Sequence, residues 1–76
     1  MLSIDMKNAV DGSKADNFTC LLFRLMFKAD LHNLGNLAKG FPVEAKMVEM
    51  YKLGMLFNED YNKLEEMART EVWGNI

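Results

Sequence analysis

The stretch "FTCLLFRLMFK", residues 18–28, constrains this chain more than any other. Set out at about 100° per residue, Phe18, Leu21, Leu22, Phe23, Leu25, Met26 and Phe27 leave only a narrow polar sector around Arg24 and Lys28. A helix that is apolar nearly all round has to be covered on more than one side. With 76 residues the chain has little to cover it with. A domain of this size buries only about 60% of its unfolded-chain surface, so its stability is marginal without a supplement. Cys20 is the only cysteine, which excludes an internal disulfide and any multi-cysteine zinc site. Self-association or binding to a larger partner is the supplement that remains.

The boundaries around this stretch are written in turn chemistry. "DGSKADN" (11–17) breaks the chain, with Gly12 free to adopt positive φ and Asn17 or Asp16 placed to cap the helix that follows. The first long helix is predicted over 18–39. Gly40 occupies the place of a left-handed C′ residue, and Pro42 ends one helix and suits the first turn of the next. Glu44 near that terminus is favoured by the helix dipole. The second long helix is predicted over 42–72. Its stripe Val43, Met47, Met50, Gly54, Phe57, Tyr61, Leu64 and Ala68 keeps phase through "NED" (58–60), which favours continuity over a break near Asn58. Beyond 58 the flanks become charged, and Glu59–Lys63 and Glu65–Arg69 are i,i+4 pairs in the favourable order. Residues 1–17 form an arm or short helix, whose Leu2, Ile4, Met6, Ala9 and Val10 can cover part of the first helix. The expected fold is a single all-α domain, 1–76. It is a two-helix hairpin with a short N-terminal element, self-associating into a helical bundle.

Charge and hydropathy narrow the function classes. "MLSIDMKNAV" has no basic n-region and no sustained apolar run, so it does not read as a signal peptide. "CLLFRLMFKA" is interrupted by charge and far shorter than the roughly 20 residues of a membrane span. The expectation is a cytoplasmic protein without membrane contact. A net charge of −2 argues against a dedicated nucleic-acid binder. "PVEAKM" opens the second helix with a glutamate and no arginine, a poor recognition helix for a major groove.

Several constellations invite chemistry. On a continuous first helix, Arg24, Lys28, His32 and Lys39 fall within one narrow arc. That arc is either an anion site for a phosphate or nucleotide, or a solvated basic face. Cys20 and His32 lie twelve residues apart on nearly opposite faces and cannot act as nucleophile and base within one chain. "GNLAKGFP" has the glycine spacing of a P-loop, but Phe41-Pro42 replace the lysine and hydroxyl residue. Asn58, Asp60 and Asn62 open like an EF-hand loop, but Lys63 and Arg69 stand where its glycine and glutamate belong. No Glu-x-x-His pair exists for a di-metal bundle. No enzyme activity, metal or cofactor is implied. Met47, Met50 and Met55 cluster on the second helix, as an adaptable surface or as core filling. Trp73 near the chain end reads as an interface anchor. The expected interface comprises Trp73, Phe23, Phe27, Met47 and Met50.

Residues 18–51 also carry the pattern Phe18, Leu22, Leu25, Lys28, Ala29, Asp30, Asn33, Leu37, Phe41, Pro42, Glu44 and Tyr51. This pattern resembles small proteins of bacteriophages and mobile elements that share an F-x3-L-x2-L-x2-KAD-x2-N core followed by FP-x-E. The resemblance covers less than half of the chain and implies an accessory context without an assigned activity. Asp30 and Asn33 are the polar members that a simple core does not require. They read as braces of the hairpin or as part of a site. The expected function is a non-enzymatic protein-interaction module that binds itself and modulates a host protein. The alternatives are an anionic, nucleotide-like ligand at an oligomer interface, and a structural subunit.

Overall fold

The computed structural model describes residues 1–74. Those residues are all-helical, with no strand among them: α1 (Leu2–Asp11), α2 (Phe18–Lys28), α3 (Leu31–Gly40), α4 (Pro42–Lys52) and α5 (Tyr61–Trp73). Each long helix expected from the sequence is therefore two helices.

The first division falls at Ala29-Asp30, where both residues adopt extended backbone, with ψ of 143° and 174°. Asp30 then caps α3: its Oδ1 accepts from the Asn33 backbone N–H at 2.8 Å, satisfying one of the donors a helix start leaves free. The second division runs from Leu53 to Asp60. Gly54, at φ 78°, closes α4 in a Schellman arrangement: its N–H donates to Tyr51 O and that of Met55 donates to Met50 O, each at 3.0 Å. Asn58 and Glu59 both hold positive φ, and Asp60 restarts the helix by accepting from the Lys63 N–H at 2.9 Å. Hydrophobic phase survives this interruption, but the helix does not.

The joint between α3 and α4 matches its expected position with a different geometry. Pro42 occupies the first turn of α4, where its missing N–H costs nothing. Gly40 is the last residue of α3 and is not among the positive-φ residues. The chain turns instead at Phe41, with φ −134° and ψ 66°.

α1, the N-terminal element, packs on α2 and α5. α4 packs on α2, α3 and α5. These contacts close α1, α2, α4 and α5 into a ring around one core, with α3 laid against the outside of α4. Met6 of α1, Phe23 and Met26 of α2, Met47 and Val48 of α4, and Leu64 and Ala68 of α5 fill the centre with almost no exposed surface. Four of its large side chains are thus drawn from Met and Phe, and unbranched Met fits the irregular space between helices of unequal length.

Candidate interaction surface

The ring covers α2 on most of its circumference. Cys20, Leu22, Phe23 and Met26 face inward and are buried, and Phe27 is half-buried against the ring of Tyr51, edge to face at 5.3 Å between centroids. The uncovered sector is an arc of about 80° that contains Phe18, Leu21, Leu25 and Lys28. Phe18 is 68% exposed, Leu21 49% and Leu25 54%. These three are i, i+3 and i+7, one continuous ridge along the helix.

A shallow cavity flanks each side of the ridge. One, of about 420 Å³, lies between α1, α2 and α4 and is lined by Ala9, Val10, Arg24, Phe27, Lys28 and Tyr51. The other, of about 430 Å³, opens between α2 and α3, lined by Leu25, Lys28, Ala29, Asn33, Asn36 and Leu37. The second exists because the break at Ala29-Asp30 turns α3 away from α2. At the far end of the pair, Phe18 meets Phe41, with ring centroids 5.9 Å apart.

The residues expected to form an anion site do not converge. Arg24 is turned inward: its guanidinium donates to the backbone carbonyls of Ser13 and of Ala15, the latter at 2.8 Å, and so clamps the α1–α2 connection. Two of its donors are thereby engaged with backbone. Lys28 stands exposed at the end of α2. His32 and Lys39 are exposed on α3, which runs in a new direction, and they line neither cavity beside α2. The single basic arc depended on a continuous helix over 18–39, and Asp30 ends it.

The expected interface residues divide in a similar way. Phe23 and Met47 have no exposed surface and Met50 only 6%, so the chain's own core occupies them. Phe27 lines a cavity from beneath. Trp73 is 51% exposed at the end of α5, with the Arg69 guanidinium 5.6 Å from its ring centroid. Of the two i,i+4 pairs read from the sequence, Glu65–Arg69 forms at 2.7 Å. Among the described residues Glu59–Lys63 does not form, because Glu59 lies in the α4–α5 connection. Cys20 is buried in α2 while His32 is exposed on α3.

The α2 ridge was within reach of the sequence. The helical wheel places Phe18, Leu21 and Leu25 together on the side away from Phe23, Met26 and Phe27. The missing piece was which side the rest of the chain would cover. The α2–α3 groove was legible only through Asp30, whose capping role decides that the helix ends there.

Among the described residues no group of three or more His, Cys, Asp or Glu side chains is placed to hold a metal ion. No described helix is long and apolar enough to cross a membrane. Among the described residues, fold and surface together define a small all-α protein with a solvent-facing apolar ridge on α2. No protein-family model, curated protein or solved structure matches the chain.

Proposed function

We propose that this protein is a non-enzymatic interaction module that self-associates and docks on a host protein, with the outer face of α2 as its contact surface. The observation that carries this reading is the exposure of Phe18, Leu21 and Leu25 as one ridge. Scattered surface apolar residues need no explanation, but a contiguous row of three large ones is the mark of a docking site. Self-association follows from the same argument that the sequence raised. α2 is apolar on nearly every side, α1 and α4 cover two of them, and a partner covers the third. The sequence pattern of residues 18–51, read as resembling phage and mobile-element proteins, directs this reading to an accessory role toward a host protein.

Affinity capture from bacterial lysate, with identification of the retained polypeptide and direct binding of that polypeptide once purified, tests the reading. Leu25→Asp lies on the exposed ridge and leaves the core intact, so it is expected to keep the helical melt and abolish the direct binding. Equal binding by wild type and Leu25→Asp would remove the ridge from the proposal. A wild-type protein that is monomeric and retains nothing would overturn the reading as a whole.

A further inference from the structure

We infer that the α2 ridge is the core of a two-fold homodimer in which the α2 helices of two copies cross antiparallel at Leu21. This rests on the reading of the ridge as a docking face and names one of its occupants. Three features of that face are self-complementary only in this arrangement.

The first is shape. Phe18, at one end, projects as the most exposed large side chain of the ridge. At the other end, about 10 Å along the helix axis, Leu25 borders the open groove formed with Ala29 and Leu37. A knob and a hole at opposite ends of one helix face can engage each other only if the second helix runs the other way. An antiparallel two-fold then makes the same contact twice, as an isologous interface requires.

The second is charge. Asp16 is exposed just before Phe18, and Lys28 is exposed just beyond Leu25. Among the described residues neither forms an ion pair. An antiparallel crossing sets Asp16 of each copy beside Lys28 of the other, whereas a parallel one sets like charges together. Complementary charges fix register and partner choice in helix pairing more than they add affinity.

The third is position. Within α2, Phe18 and Leu25 straddle the point between Leu21 and Leu22, so the two-fold falls there and Leu21 meets its own copy beside it. Asp16, in the connection before α2, and Lys28, at its end, flank that centre on either side. A single helix face with its flanking groove falls short of the roughly 800 Å² per partner of a standard interface, so the dimer is a weak one and its population depends on concentration.

Sedimentation velocity over a concentration series up to about 200 µM, where a dimer with micromolar Kd is well populated, reads the association directly. Leu21→Asp places two carboxylates against each other at the two-fold and is expected to weaken dimerisation at least about tenfold. Lys28→Asp and Asp16→Lys are each expected to weaken it as well. The double variant Asp16→Lys/Lys28→Asp restores both pairs with reversed sign and is expected to recover wild-type association. All three positions are at the surface, and a circular-dichroism melt confirms the fold of each variant. Failure of the double variant to recover overturns the antiparallel register. A wild-type chain monomeric across the series overturns the dimer, and direct binding of a host polypeptide lost in Leu25→Asp would still uphold the ridge as a docking face. A dimer unaffected by both Leu21→Asp and Leu25→Asp overturns the ridge as the interface.

Discussion

The backbone N–H of Ser3 donates to Oε1 of Glu65 at 2.8 Å, joining residues 62 positions apart. Met1 supplies no side-chain cap to α1, so a carboxylate from α5 takes over one of the donors that the helix start leaves free. The other oxygen of Glu65 accepts from the Nε of Arg69 at 2.9 Å, and Ser3 Oγ donates to Asn62 Oδ1 at 2.6 Å. Glu65 is only 6% exposed, and both of its oxygens are engaged, as the burial of a polar group requires. Glu65→Ala is expected to cost about 2 kcal/mol, since it leaves the Ser3 N–H without its partner and Arg69 without its carboxylate. Glu65→Gln keeps an acceptor for Ser3 and is expected to lose less. Urea unfolding of the two variants checks this; equal losses would mean that charge, not the cap on α1, is what Glu65 contributes.

Two glycines test the backbone assignments in opposite directions. Gly54 sits at φ 78°, where any side chain is strained, and it closes α4. Gly35 lies within α3, and a Cβ added there meets nothing within 4 Å. Gly54→Ala is therefore expected to destabilise by about 1 kcal/mol and Gly35→Ala to stabilise by about 1 kcal/mol. Thermal melts of both variants decide the matter. A stabilising Gly54→Ala would favour the continuous helix over 42–72 that the hydrophobic stripe suggests.

That contrast shows which parts of the fold could be read in advance. Pro42, Glu44 and Gly12 act through their nearest neighbours, so sequence alone places them. Asn17, expected to cap α2 with its side chain, instead donates to Asp5 Oδ1 at 2.8 Å. The breaks at Asp30 and at Gly54 to Asp60 were harder, because periodicity carries on across both. Phase is a weak witness where an interruption happens to return the chain in register. The local signals were present all the same: Asp30 three residues before Asn33, Asp60 three before Lys63, and Gly54 at a helix end. The site followed the breaks. Once α3 turns away, His32 and Lys39 leave the arc of Arg24 and Lys28, and a groove opens beside Leu25. The Ser3–Glu65 link has no sequence signature at all, since it depends on how α1 crosses α5.

Tyr61 makes the fold sensitive to alkaline pH. Burial raises its pKa above the ordinary 10.0, and electrostatic repulsion of the Tyr61 phenolate by Tyr51, Asp11 and Glu59 adds to the shift. A group whose folded pKa is raised contributes stability that is fully present below its unfolded pKa and lost as pH rises through the folded one. Tyr61→Phe cannot ionise. Wild type and Tyr61→Phe are therefore expected to run parallel in stability up to about pH 9.5, and wild type is expected to fall more steeply above about pH 10. Urea midpoints across that range give the comparison, and parallel curves throughout would show that Tyr61 ionises without cost to the fold.

Arg24 decides between the basic arc read from the sequence and the clamp formed in the fold. Its guanidinium donates to two carbonyls of the α1–α2 connection, and Lys14 lies exposed between those two carbonyls. A loop held at both ends of a short span presents a poor substrate to a protease, because cleavage needs the backbone to open. Arg24→Gln removes the planar fork, and Arg24→Lys keeps the charge but cannot reach both carbonyls in the same way. Both are expected to speed tryptic cleavage after Lys14 several-fold, with the global melt changing little by comparison. An anion site makes the opposite demand: nucleotide would raise the melting temperature of wild type, and Arg24→Lys would retain most of that gain. Unchanged cleavage after Lys14 together with a nucleotide-dependent gain would return Arg24 to the anion-site reading. Faster cleavage in both variants, with no nucleotide effect, fixes Arg24 as the residue that holds the loop.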